Sequence, residues 1–155
     1  MFDAQRGQVR HLARHGQLLD GSGLDLPRKI THTDIDALYD FGREELFVFC
    51  EIKLRGKDVP YGQRIALHRV ARLASCVDPK TGFAYAAVLL VLDHDVHDTS
   101  EPVMMKDCVV RSCDVYYKGD ADCTEYTAVG KTLNHALEEM LAMRRSALEK
   151  SNVFG

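Results

Sequence analysis

Apolar residues recur along this chain with two different periods. Between Ile30 and Asp40 a strand-length mixed segment puts Asp34, Asp36 and Leu38 two apart, and after the polar break Gly42-Arg43-Glu44-Glu45 the apolar run Leu46-Phe47-Val48-Phe49-Cys50 leads into Glu51-Ile52-Lys53. Two strand-length segments around a turn predict an antiparallel hairpin whose second strand is buried. From Tyr61 the period becomes helical. A wheel at about 100° per residue puts Gln63, Ala66, Leu67, Val70, Ala74 and Val77 on one face, and Arg64, His68, Arg69 and Arg72 away from it. This predicts a helix over 61–77, with Pro60 at the first helical position, where its missing N–H costs nothing. Phe83–Leu92 is apolar on both faces. It predicts a central strand parallel to a hairpin strand, with the helix over 61–77 as the crossover. Residues 107–118 read as an edge strand and Gly119–Cys123 as a polar turn. Thr132 is placed to cap a last helix over about 131–149, whose stripe is Leu133, Ala136, Leu137, Met140, Leu141, Ala147 and Leu148. Arg144 and Arg145 fall in its last turns, where they suit the helix dipole. A weaker helical pattern covers about 4–19, with Arg6, Arg10 and Arg14 along one side.

The expected order is α-β-β-α-β-β-α. That is an α/β domain with a mixed central sheet flanked by helices. One domain is expected over 1–155, with its core over about 30–118.

The hairpin concentrates the candidate chemistry. Alternation puts Asp34, Asp36 and Leu38 on one face of the first strand, and Glu51 and Lys53 on one face of the second. With the turn centred near Arg43-Glu44, Asp36 falls opposite Glu51 and Asp34 opposite Lys53; without the turn type a slip of register stays open. A glutamate and a lysine at the end of a buried strand need a reason to be there. Two carboxylates this close repel unless a cation lies between them. Mg²⁺ takes one or two carboxylates and keeps its waters for substrate. An ammonium on the same face can hold a water and offset the charge of a phosphate. Gln63, aimed inward at the first helical turn, wants a partner: Lys53, a metal-bound water, a phosphate, or loop backbone.

Composition narrows the setting. No segment reaches 18 apolar residues, so no membrane span is expected. Five cysteines at irregular spacing (Cys50, Cys76, Cys108, Cys113, Cys123) read as reduced thiols of a cytoplasmic protein. A zinc site from Cys108, Cys113 and Cys123 is a minor alternative, since no Cys-x-x-Cys occurs. The net charge of −3 is unevenly spread: residues 1–72 carry 12 Lys and Arg against 10 Asp and Glu, and the remainder 8 against 13. The basic side coincides with the candidate site, which suits a nucleic acid. Asp93-His94-Asp95-Val96-His97-Asp98 is either a metal box or a polar loop at a strand end. Tyr116 and Tyr117 are base-stacking candidates or ordinary edge-strand aromatics.

The order Asp, then Glu51-Ile52-Lys53 on a hairpin, then Pro60-Tyr61-Gly62-Gln63 opening a helix, resembles the PD-(D/E)XK nuclease superfamily. It is most similar to the small phage-type and VRR-NUC branch, with Holliday-junction resolvases among the relatives. The resemblance covers roughly residues 30 to 75. Two departures stand out: Thr33, not proline, precedes Asp34, and no glutamate precedes Glu44 to serve as an accessory ligand on the first helix. The resemblance implies a restriction-endonuclease-like core and a Mg²⁺- or Mn²⁺-dependent DNA nuclease. Asp36, Glu51 and the Ile52 carbonyl would hold the metal, with Asp34 as alternative ligand; Lys53 would position the water and Gln63 would orient Lys53 or that water. Arg28, Lys29, Arg55, Lys57 and Arg64 would meet DNA. Substrate form and a homodimer stay open at this point, and so does a non-catalytic nucleic-acid-binding or assembly protein that keeps the fold.

Overall fold

The computed structural model describes residues 35–122 and 126–154. Asp34, Arg28, Lys29, Cys123 and the helix expected over 4–19 lie outside them. The described residues form an α/β unit with one five-stranded mixed sheet and two helices. Strand β1 (Ala37–Phe41) and strand β2 (Leu46–Leu54) make the hairpin. Helix α1 (Tyr61–Ala74) connects β2 to strand β3 (Ala86–His94). A single 3₁₀ turn (Met105–Asp107), strand β4 (Val109–Tyr117), the two-residue strand β5 (Asp120–Ala121) and helix α2 (Leu133–Phe154) follow.

The sheet order is β1-β2-β3-β4-β5, with β2 and β3 parallel and the other pairs antiparallel. The hairpin register pairs Ala37 with Cys50 and Phe41 with Leu46. One step further, Asp36 falls opposite Glu51, as the turn centre predicts. The two middle strands are covered on both sides, which is why β3 can be apolar throughout. Even-numbered β2 residues (Leu46, Val48, Cys50) join Val88, Leu90 and Leu92 under Leu133, Ala136 and Met140 of α2. On the other face Phe49, Ala87 and Leu89 pack under Leu67 and Ala71 of α1. Ala71 and Ala87 are both fully buried, and two small side chains let this helix sit close to the sheet.

Several expectations shift. Pro60 precedes the helix instead of opening it, with φ −53° and ψ 141°, and its carbonyl accepts the Arg64 N–H. The helix stops at Ala74, because Ser75 folds back: its N–H reaches Ala71 O and its hydroxyl donates to Arg72 O at 2.7 Å. Val77 is therefore exposed; within the helix the inward line runs through Leu67 and Ala71, which leaves Val70 exposed as well. The turn expected over 119–123 contains β5. Lys118 and Gly119 both have positive φ (52° and 83°), and the two-residue hairpin loop they make pairs Tyr117 with Asp120. Thr132 does cap α2, its hydroxyl accepting the His135 N–H at 3.3 Å. That helix runs on to Phe154, so Arg144 and Arg145 are mid-helix. Arg144 donates to the carbonyls of Glu44 and Glu45, and Arg145 to the Glu44 carboxylate. They pin the hairpin turn rather than serve the helix end.

Candidate functional site

Odd-numbered β2 residues point to the α1 face, and this face turns polar where the strand ends. Glu51 is 1% exposed, beneath the first turn of α1. Burying a carboxylate costs several kcal/mol unless donors meet it. Two do so at one oxygen: Lys53 Nζ lies 2.5 Å from Oε1, and Gln63 Nε2 donates to the same atom at 2.9 Å. Lys53 reaches it because the two residues share a strand face, and Gln63 because it occupies the first inward position of α1. The inward aim of Gln63 is as expected; its partner, Glu51, was not among those expected.

Asp36 stands at the edge of this cluster, exposed, and its Oδ2 accepts the Ile52 N–H at 2.6 Å. The N–H and C=O of one strand residue point to the same neighbour, so the Ile52 carbonyl also faces the β1 side. Asp36, Glu51, Lys53, Gln63 and the Ile52 backbone thus lie together, as the sequence places them.

Two further residues complete this end of the sheet. Asp93, paired with Lys53 in the parallel register, is 8% exposed on the same face. Arg111 holds it, with Nε at 2.9 Å and Nη2 at 2.5 Å from Oδ1, while Nη1 donates to the Lys57 carbonyl at 2.7 Å. Arg111 falls where the β3–β4 register shifts, Val91 pairing with Ser112 and Leu92 with Val110. Such a bulge re-aims a side chain. The sequence carries one hint, an arginine directly after the apolar pair Val109-Val110.

At the end of β3 and in the loop after it, four of the polar groups have protein partners. Asp93 pairs with Arg111, Asp95 with Arg55 (Nε to Oδ1, 2.7 Å), Asp98 with Ser100, and His94 Nδ1 accepts the Val96 N–H. The Arg55 guanidinium holds the exposed Asp95 carboxyl below its ordinary range. Arg55 is thereby tied down, while Lys57 and Arg64 are exposed. Cys50, Cys108 and Cys113 belong to the α2 side: burial pushes the Cys50 thiol up to about 12 and raises Cys108 and Cys113. Cys123, the third member of the zinc alternative, lies outside the described residues.

Among the described residues no three carboxylate, imidazole or thiol side chains form a cage. A magnesium ion needs less: two carboxylates and a backbone carbonyl with room for water. Asp36, Glu51 and the Ile52 carbonyl are hard oxygen donors of the kind such an ion takes, with Glu51 Oε1 already engaged by Lys53 and Gln63.

No protein-family model, curated protein or solved structure matches the chain significantly.

Proposed function

We propose that this protein is a divalent-metal-dependent deoxyribonuclease with a restriction-endonuclease-like core, hydrolysing phosphodiester bonds in a structure-specific or non-specific way. The observation that carries the proposal is the convergence of Lys53 and Gln63 on the buried Glu51, with Asp36 in register across the hairpin. The order of hairpin, connecting helix and parallel strand supports the same reading.

Each residue has a role its position suits. Asp36, Glu51 and the Ile52 carbonyl would hold Mg²⁺ or Mn²⁺, with Asp34 as alternative ligand. The ion supplies Lewis-acid stabilisation of phosphate charge and lowers the pKa of a bound water. Gln63 fixes the rotation of the Glu51 carboxylate. Lys53 orients the attacking water and offsets negative charge as the phosphorus centre becomes five-coordinate. Water oxygen bonds to phosphorus, the P–O bond to one sugar breaks, and a proton passes to that leaving oxygen. Arg111 holds Asp93 and the Lys57 carbonyl, and so sets the loop beside Lys53.

Labelled duplex, flapped and four-way-junction DNA with Mg²⁺, Mn²⁺ or EDTA tests this. Metal-dependent cutting is expected, falling by roughly 10²–10³-fold or more in Lys53→Ala and Glu51→Gln. Asp34→Asn should be milder than Asp36→Asn. The closure of Lys53 on Glu51 and of Asp36 on the Ile52 N–H favours a second reading, a nucleic-acid-binding or assembly protein with a self-satisfied polar cluster. Absence of both cleavage and calorimetric Mg²⁺ or Mn²⁺ binding would select it.

A further inference from the structure

The flank of α1 that faces β4 and β5 has a different character from the flank at Glu51. An open groove of about 580 Å³ runs along it, from Tyr61 and Arg64 past His68 and Arg69 to Arg72, with Tyr116 and Gly119–Ala121 as the facing wall. Arg64, Arg69 and Arg72 are exposed. The ion pairs among the described residues engage Lys53, Arg55, Arg111, Lys131 and Arg145; the three groove arginines take part in none. One carboxylate, Asp120, lies in the lining, and Asp114 stands beside it, 3.9 Å from His68 Nε2. The groove thus sets three arginines against one lining carboxylate and a second beside it, with the positive charge gathered on the helix side.

Its aromatic groups are placed for more than charge. Tyr61 is 71% exposed even with the Arg64 guanidinium 5.6 Å above its ring. Tyr116 is held in the opposite wall, its hydroxyl 2.5 Å from His68 Nδ1. This corrects the outward placing of His68, which is half-buried and turned to β4. Tyr61 and Gln63 both belong to the first turn of α1, so the Tyr61 end of the groove is the end of the helix that covers Glu51.

We propose that this groove seats a single-stranded polynucleotide segment leading to Glu51 and Lys53. Arg64 to Arg72 span about 12 Å of helix, roughly the reach of two to four phosphates of one strand. Guanidiniums along a backbone with an exposed aromatic at one end make a stacking platform in a charged track. In a duplex the base faces are covered by their neighbours, and Tyr61 would have nothing to stack on. The choice of a nucleic acid rests on the nuclease reading.

The test separates the two. Full-length protein in EDTA is titrated against fluorescent oligo(dT) and oligo(U) of about 12 nucleotides and a duplex of equal length, by anisotropy. Single strands should bind more tightly than duplex, and the preferred polymer identifies the source as DNA or RNA. Arg69→Gln/Arg72→Gln should weaken binding about tenfold or more and reduce the salt slope by about 1.4. Tyr61→Ala should weaken binding at least fivefold. Circular dichroism of these surface variants should match wild type, and if it does not, the single variants Arg69→Gln and Arg72→Gln carry the comparison. Equal binding by wild type and variants, tighter binding of duplex, or equal competition by poly-glutamate would overturn the inference. Metal-dependent cleavage of duplex with no single-strand binding would sink the groove and leave the nuclease standing. Variant-sensitive binding without cleavage would do the reverse.

Discussion

The two faces of the sheet are built from the same strands and do different work. The apolar cluster shared by the sheet and α2 has 13 buried residues, and the buried carboxylate on that side, Glu44, sits in the hairpin turn and is held by Arg145. The cluster shared by the sheet and α1 has five, and the same face carries the buried carboxylates Glu51 and Asp93. Alternation along β2 sends Cys50 to one side and Glu51 to the other, so adjacent residues meet opposite environments. The larger core secures the fold, and the smaller one gives up apolar burial at its end to hold polar groups in place. Stability and candidate chemistry should therefore respond to different substitutions.

The largest expected contrast pairs Leu90→Ala with Glu51→Gln. Leu90 is fully buried under α2, and its truncation should cost about 2–5 kcal/mol in urea unfolding. Glu51→Gln keeps the shape and the Gln63 contact and frees a lysine that is already 23% exposed. Its stability should change by about 1 kcal/mol or less, while any metal binding is lost. A large loss of stability in Glu51→Gln would show that the cluster is structural and undo the contrast.

Arg111→Ala is next. It strands Asp93 at 8% exposure and releases the Lys57 carbonyl. Removing one partner of a buried pair costs about 3–5 kcal/mol, and the partial exposure of Arg111 (29%) lowers this to roughly 2 kcal/mol. Asp93→Asn added to Arg111→Ala should recover part of it. If the single variant unfolds like wild type, the Asp93–Arg111 pair is not what orders this end of the sheet.

The sequence shows one side of this contrast better than the other. The hairpin register was legible only in part: a turn centred near Arg43-Glu44 gives the observed pairing, but the turn type that excludes a slip is set in the fold. Gln63 was legible because a helical wheel needs only a starting point. The place of β3 followed from its apolar faces. Arg111 and β5 were not legible: the first depends on a bulge between non-local strands, and the second on Lys118 taking a left-handed conformation usually left to Asn or Gly. The partners of Gln63 and Asp36 depend on rotamers set only when β1, β2 and α1 come together. The helix end at Ala74 was missed because Ser75 caps it through its own side chain, against an apolar pattern that runs on to Val77.

The smallest effect tests the α2 face through pH. Burial first, then the Asp36 charge and Cys108, push the Cys50 thiol up to about 12 from an ordinary 9. The folded state thus keeps a proton that the unfolded chain releases above about pH 9. The contribution is fully present below that pH and is lost as pH rises through about 12. At pH 10 the loss is about 1 kcal/mol. Tyr39, Tyr116, Tyr126, Cys108 and Cys113 are shifted upward as well, so wild type alone does not isolate Cys50. Cys50→Ala does: its cost relative to wild type should shrink by about 1 kcal/mol between pH 8 and pH 10. Exposed Cys76 supplies the control, since alkylation at pH 8 should label it and spare Cys50 in the native state. Rapid native labelling of Cys50, or a pH-independent difference between the two proteins, would mean that the strand carrying Glu51 is not sealed on its α2 side.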